Sequence, residues 1–365
     1  MDKKKQILQM VEDGKLSVDE ALVLLNSLEN ESSTGQQVSS SKDVSTVVLD
    51  KEPKAFYKEK VVAPPLKEKL MGFVNQTLKK VKDVDLDFNF GPSVDVQHIF
   101  QHAEAYLSEL DIDVANGSVT LIPWQSQDVR IECEAKVYKA TSQDEARKMF
   151  LQDVVFSIEN GKLRFTIQKK QMKVAAKIYV PEFTYDRIKV RMFNGPIEGA
   201  KLMVKDLKAK TANGGVAFSE LRGESVELET ANGHILLKDS YMLKCEAETI
   251  NGSIDIAGDY ERTDIQTFNG SIKYHLSGDR GKKAYFKSTT GSIDVVIPDS
   301  LDLEGTLRSN LGNFNCLVKN LEILDEKSET VQKSLQFKTH LGSSSPMKIV
   351  AESKTGSITL KPSKG

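Results

Sequence analysis

From about residue 83 onward, apolar and polar residues alternate with a period of two, in short runs broken by Asn-Gly. The stretch LKCEAETINGSIDIAG, residues 243–258, shows the pattern. Cys245, Ala247, Thr249 and Asn251 fall on one side, and Ile254 and Ile256 return to it after the turn. Such alternation predicts strands that each bury one face. Asn-Gly is expected to supply the corner because both residues tolerate positive φ. One segment interrupts the strands: TSQDEARKMFLQ has helical spacing and a capping box at Ser142 and Glu145.

The turn recurs. Aligned on glycine, the units are MFNGPIEG (Gly195), TANGGVAF (Gly214), TANGHILL (Gly233), TINGSIDI (Gly252) and TFNGSIKY (Gly270), at steps of 19, 19, 19 and 18 residues. Looser copies follow at Gly291, Gly312, Gly342 and Gly356. A constant period near twenty predicts a solenoid in which each coil sits on its predecessor. An array of antiparallel hairpins would also use Asn-Gly turns, but it needs a turn at both ends of every strand pair. The fold expected is therefore mainly β, a parallel β-helix with coils of about 19 residues spaced about 4.8 Å apart. Thr211, Thr230, Thr249 and Thr267 are expected to stack as one interior ladder. Asn213, Asn232, Asn251 and Asn269 are expected to form a second, with amides bonded between coils, beside the corner glycines Gly214, Gly233, Gly252 and Gly270.

Helical spacing governs the first thirty residues. Ile7, Leu8, Met10 and Val11 form one apolar stripe, Asp13-Gly14 stops it, and Ser17 with Glu20 caps a second helix carrying Ala21, Leu22, Leu24, Leu25 and Leu28. A hairpin of residues 1–30 has too little core to stand alone, so it is expected to self-associate. Residues 31–65 are Ser-, Thr- and Gln-rich, then Lys- and Pro-containing, and read as a flexible linker. Residues 66–82 place Leu66, Leu70, Phe73, Val74, Leu78 and Val81 on one helical face among five lysines. This basic amphipathic helix is expected to cap the β-domain of residues 83–365, to dock a partner, or to touch an anionic membrane surface.

Composition narrows the function. The formal charge of −2 over 365 residues offers no bulk attraction to nucleic acid. Cys133, Cys245 and Cys316 are odd in number and lack metal or redox spacing. No window approaches eighteen uncharged apolar residues, and the N-terminus has no apolar leader core. The location expected is the cytoplasm, peripheral to the inner face of the membrane, with leaderless export to the cell surface as the alternative.

The solvent-facing positions before each turn read Lys189 and Arg191, then Lys208 and Lys210, Glu227 and Glu229, Glu246 and Glu248, and Asp264 with Gln266. Glu227, Glu229, Glu246, Glu248 and Asp264 thus form a candidate acidic strip for a cationic partner, or a solvated face only. His98 and His102 lie four apart without further ligands, and Trp124 stands alone at a strand end, at the core edge or as a carbohydrate platform. No catalytic constellation, cofactor motif or metal site is defined.

The T-x-N-G-x-I repeats, preceded by KIYVPEFTYDRIKVRMFNGPI, resemble the bacterial Toastrack β-strand-repeat family of adhesin type. The leading MVEDGKLSVDEALVLLNSLE resembles the SHOCT-like helical hairpin found ahead of such domains. The resemblance implies a right-handed β-helix without enzymatic activity, working in cell-envelope stress responses of Gram-positive bacteria. It further implies PspC-type membrane proteins as partners and a part in sensing membrane-active cationic peptides. Many relatives carry a transmembrane helix, so a membrane link here is expected through residues 66–82 or a partner. The rival readings are a polysaccharide-binding adhesin and a β-helix polysaccharide lyase.

Overall fold

The computed structural model describes residues 91–328, 332–340 and 345–363. The expectations for residues 1–30, 31–65 and 66–82 lie outside these residues. The described chain is mainly β, with one helix, Gln143–Asp153, and a solenoid-like body of stacked strands. In the repeats, a long strand runs to the Asn-Gly corner, and a short strand follows, as in Met203–Asn213 with Val216–Ser219. Neighbouring coils pair in parallel and in register: Asn213, Asn232, Asn251 and Asn269 are successive partners, as are Val216, Ile235, Ile254 and Ile272. The inward column Ile197, Val216, Ile235, Ile254, Ile272, Ile293 and Ile358 is buried throughout. Each such side chain contributes roughly 1.5–3 kcal/mol by leaving water.

The corner chemistry matches expectation for glycine but not for asparagine. Gly195, Gly214 and Gly252 adopt positive φ of 132°, 148° and 157°, whereas Asn213, Asn232 and Asn251 do not, and the non-glycine residues Lys201, Glu220 and Asp239 take positive φ at a second corner that follows the short strand. Glycine is needed at the Asn-Gly corner for space as well. A Cβ on Gly214 would stand 2.2 Å from the carbonyl oxygen of Gly195, and one on Gly252 would stand 1.9 Å from that of Gly233. The coils approach too closely there for any side chain.

Stacking in sequence order fails at both ends. The coil Glu109–Trp124 lies between Lys162–Ile167 with Met172–Pro181 on one side and Thr184–Asn194 with Ile197–Ala200 on the other. Likewise Met347–Ser353 with Ile358–Pro362 lies between Lys283–Ser288 with Ile293–Ile297 and Leu303–Ser309 with Phe314–Cys316. Gly356 therefore stacks between Gly291 and Gly312. Gly342 lies outside the described residues.

Antiparallel strands finish each end. Ser93–His102 pairs with Val129–Tyr138, which pairs with Met172–Pro181, and Val154–Glu159 pairs with Lys162–Ile167. At the far end Leu303–Ser309, Lys333–Thr339 and Leu321–Ser328 form an antiparallel run. The helix packs Ala146 and Phe150 onto the first end, where Phe100 lies within 6.3 Å of Phe150, Phe156 and Phe165 by ring centroid. Its cap is shifted by one residue from a reciprocal box. The Glu145 amide donates to Ser142 Oγ at 3.2 Å, but the Glu145 carboxylate accepts from the amide and hydroxyl of Thr141.

Candidate functional site

The threonine, asparagine and glycine of the T-x-N-G motif each have a partner in an adjacent coil. Thr211, Thr230, Thr249 and Thr267 are buried, and each hydroxyl donates to the carbonyl of the preceding coil's corner glycine at 2.9–3.2 Å. The asparagine amides form a continuous chain. Asn194 Nδ2 donates to Asn116 Oδ1, Asn213 to Asn194, Asn232 to Asn213, Asn251 to Asn232 and Asn269 to Asn251, all at 2.7–2.9 Å. The four asparagines Asn213, Asn232, Asn251 and Asn269 are exposed, so this ladder runs along the surface and not the interior. The chain of amides turns the corner outward, where each side chain still reaches its neighbour.

The acidic strip also departs from its expected setting. Glu227 is 9% exposed and Glu229 only 1%, so neither faces solvent. Register places Glu227 beside Glu246 and Glu229 beside Glu248, but it also places them beside Lys208 and Lys210 on the other side. Lys208 Nζ lies 2.6 Å from Glu227, and Lys210 Nζ lies 3.1 Å from Glu227 and 2.7 Å from Glu229. Burial pushes the Glu227 carboxyl up, but a hydrogen bond shared with Glu229 and those donated by Lys208 and Lys210, with the Lys210 charge, outweigh it, holding the carboxyl well below the usual carboxylate range. The hydrogen bond to Glu227 holds Lys208 above the ordinary lysine value. Two of the five strip carboxylates thus belong to an internal ion-pair network.

The same arrangement repeats nearer the first end. Arg191 lies 3.3 Å from Asp111 and 3.1 Å from Asp113, and Lys162 lies 3.5 Å from Glu109 and from Asp111. Opposite charges nineteen positions apart, as in Lys208 with Glu227, are the sequence signal for this network. Glu246, Glu248 and Asp264 remain half-buried on the next two coils. Glu246 lies 2.6 Å from Lys244, and Gln266 donates to Asp264 at 2.9 Å. The face is a rigid sheet bearing charge in bands, positive on one side and negative toward the far coils.

Most of the remaining candidates are packed into the fold. The His98 ring sits 4.4 Å from that of Phe100, and burial, with the Arg147 charge, pushes its pKa down. His102 is exposed. Trp124 donates its indole N–H to the Asp128 carbonyl at 2.8 Å and packs 5.3 Å from Tyr179, as a core-edge residue does. Burial pushes the Cys133 thiol up to about 12 and the Cys316 thiol up to about 11, which leaves both poor nucleophiles. Among the described residues no His, Cys, Asp and Glu group is arranged to hold a metal ion, and no helix is long and apolar enough to cross a membrane.

The Toastrack DUF4097 family model matches residues 107–361, and a SHOCT-like domain model matches residues 2–33. The uncharacterized protein YvlB of Bacillus subtilis is 46% identical over 358 residues, covering 98% of each chain. A solved structure from Parabacteroides distasonis, provisionally named a lipid binding protein, is 11% identical with a TM-score of 0.38, over 73% of this chain and 97% of that one. A provisionally named adhesin from Bacteroides fragilis is 15% identical with a TM-score of 0.30, over 73% and 97%. With the repeated corner, its glycine column and a family match over most of its length, the chain belongs to the Toastrack family, with a SHOCT-like segment ahead of the repeat domain.

Proposed function

We propose that this protein is a non-enzymatic scaffold or sensor of a bacterial cell-envelope stress response. It binds protein partners, PspC-type membrane proteins among them, or cationic peptides, through the faces of a right-handed β-helix. The observation that carries the reading is the banded sheet face, on which Glu246, Glu248 and Asp264 stand in adjacent coils beside a lysine–glutamate network. Strands held in register fix the spacing of those carboxylates before a partner arrives, which lowers the ordering cost of binding. Complementary charge also steers a cationic partner toward the face. The acidic strip is thereby narrowed to Glu246, Glu248 and Asp264, with Glu227 and Glu229 as its structural backing. Residues 1–30 supply self-association, and residues 66–82 or a membrane partner supply the link to the inner face of the membrane.

The test is binding of a PspC-type soluble domain and of a cationic peptide to the full chain, measured by calorimetry at two salt concentrations. Glu246→Lys with Asp264→Lys is expected to weaken capture by about tenfold, with a smaller effect at high salt. Equal affinity in a folded double variant would remove the strip from the account.

A further inference from the structure

Asparagine followed by glycine is chemically fragile, and this chain contains the pair seven times, at Asn116, Asn160, Asn194, Asn213, Asn232, Asn251 and Asn269. Glycine has no side chain to shield its backbone nitrogen, so that nitrogen can attack the amide carbon of the asparagine before it. The attack needs two freedoms. The glycine N–H must not be donated elsewhere, and the asparagine side chain must be able to turn back over its own main chain.

The six pairs in the ladder are restrained. Each of their side chains is bonded at both ends. Asn116 Nδ2 donates to the Lys170 carbonyl at 3.1 Å, Asn269 Oδ1 accepts from the Thr290 hydroxyl at 3.1 Å, and the amides between them bond one another. Glycine nitrogens are also taken. Gly195, Gly214, Gly233 and Gly252 donate to the carbonyls of Asn213, Asn232, Asn251 and Asn269 in the next coil, at 2.6–2.9 Å. Water can replace a bond between exposed amides, but freeing one of these glycine N–H groups requires two coils to part.

Asn160 is the exception. Asn160 and Gly161 form the two-residue turn between Val154–Glu159 and Lys162–Ile167, with φ of 51° and 74°, both positive as a type I′ turn requires. The Asn160 side chain is exposed, and neither it nor the Gly161 N–H has a hydrogen-bond partner among the described residues. Exposure alone does not single it out, because Asn213, Asn232 and Asn251 are exposed too. Bonding does. The turn also holds the first coil: the Gly161 carbonyl accepts from the amides of Ser108 and Glu109 at 2.8 and 3.1 Å, where Glu109–Trp124 begins. That anchor lies past the attacking nitrogen, on the far side of the Gly161 Cα.

We propose that Asn160 is a site of spontaneous modification, converting to isoaspartate in the folded protein and loosening the first coil as it does so. The Gly161 nitrogen, its proton lost to solvent base, bonds to Asn160 Cγ. The Cγ–Nδ2 bond then breaks, and ammonia leaves with a proton regained from water. Water opens the cyclic imide. Breaking the new N–Cγ bond gives aspartate, and breaking the original peptide bond gives isoaspartate, whose main chain runs on through Cγ. The added methylene lengthens a two-residue turn and shifts the Gly161 carbonyl from the Ser108 and Glu109 amides. The free α-carboxylate left on this exposed turn is the group that an isoaspartyl methyltransferase esterifies with S-adenosylmethionine.

The full chain, folded, is aged at mildly alkaline pH and mapped by digestion and mass spectrometry, with isoaspartate scored by methyl transfer from labelled S-adenosylmethionine. Residue 160 is expected to convert about tenfold or more faster than Asn194, Asn213, Asn232 or Asn251, whose glycines are released only by local opening. In the urea-unfolded chain the difference should vanish, because every pair is then in solvent. Ageing is expected to speed hydrogen exchange at Ser108 and Glu109 about tenfold or more. Asn160→Gln, checked for unchanged circular dichroism and aged alike, should show neither change. Conversion at Asn160 no faster than in the ladder of the folded chain, or a difference that persists in urea, would overturn the assignment of the site. Conversion there with Ser108 and Glu109 still protected would overturn the loosening.

Discussion

Asn232 and Gly252 belong to the same motif yet hold the coils together in different ways. Asn232 Nδ2 donates to Asn213 Oδ1 at 2.9 Å, and its Oδ1 accepts from Asn251 at 2.8 Å, but the side chain is exposed, so water can replace either bond. Gly252 instead gives the space that lets one backbone meet the next, since a Cβ there would stand 1.9 Å from the Gly233 oxygen. No side-chain rotation relieves a clash with backbone. Asn232→Ala is therefore expected to cost about 0.5–1.5 kcal/mol, the net worth of a typical hydrogen bond. Gly252→Ala is expected to cost about 1–3 kcal/mol or more, because two coils must separate. Urea unfolding of both variants checks the order, and a Gly252→Ala variant as stable as Asn232→Ala would show that the corner has room. The recurrence of Thr, Asn and Gly was legible because the motif returns at a near-constant step of 18 or 19 residues. That the glycine serves close approach, and that the left-handed turn falls at Lys201, Glu220 and Asp239, was not legible. Neither fact leaves a mark in the Asn-Gly dipeptide itself.

The strands Met203–Asn213 and Arg222–Asn232 are joined by more than their backbone ladder, because the Lys208, Lys210, Glu227 and Glu229 network crosses between them. Glu227 has its folded pKa depressed, so its contribution to stability is present above the unfolded carboxylate value, about 4.3. It is lost as pH falls through the folded value. Lys208 has its pKa raised, so its contribution is full below the unfolded lysine value, about 10.4, and is lost only as pH rises through the folded one. At neutral pH both terms are present. Lys210→Met takes one cation from two buried carboxylates, leaving Glu227 with Lys208, and is expected to cost about 3–5 kcal/mol at pH 7, as breaking a buried ion pair does. The cost should shrink as the solution is made acid, because protonated carboxyls need no cation. Chemical denaturation of both proteins across pH 3–8 measures the difference, and a pH-independent penalty would mean that Lys210 acts by packing alone. A strip facing solvent follows from reading Glu227 against Glu246 only. The alternating faces were legible, but which faces lie against a charged neighbour depends on the coil on each side, and Lys208 and Lys210 lie on the side left out.

At the scale of the molecule, the solenoid is ordered differently from its sequence, and this decides how it should come apart. Repeat arrays derive their stability from nearest neighbours, so a coil matters most to the two coils it touches. Sequence order would make the segment after residue 345 a terminal coil with one neighbour. The observed pairing gives it two, Lys283–Ser288 and Leu303–Ser309 for its first strand, and Ile293–Ile297 and Phe314–Cys316 for its second. Local sequence could not reveal this, because SKTGSITL around Gly356 carries the same inward pattern as STTGSIDV around Gly291, and every slot accepts either. Only the route of the connecting antiparallel strands, Leu321–Ser328 and Lys333–Thr339, selects the slot. Deleting residues 345–365 removes Ile349, Ala351, Ile358 and Leu360 from the core, and uncovers Phe286 and Val295 on one side and Leu303 and Leu307 on the other. At roughly 1.5–3 kcal/mol for each large apolar side chain exposed, both flanking coils should lose their protection. Native-state hydrogen exchange is then expected to show fast amides in Lys283–Ser288 and Leu303–Ser309 together, while Met203–Asn213, whose neighbours are intact, stays slow. Had the coils stacked in sequence order, Lys283–Ser288 would still be covered by Leu303–Ser309 after the deletion. Retained protection of Lys283–Ser288 would therefore refute the intercalated arrangement, whereas joint loss in the two coils has no source in an end-on truncation.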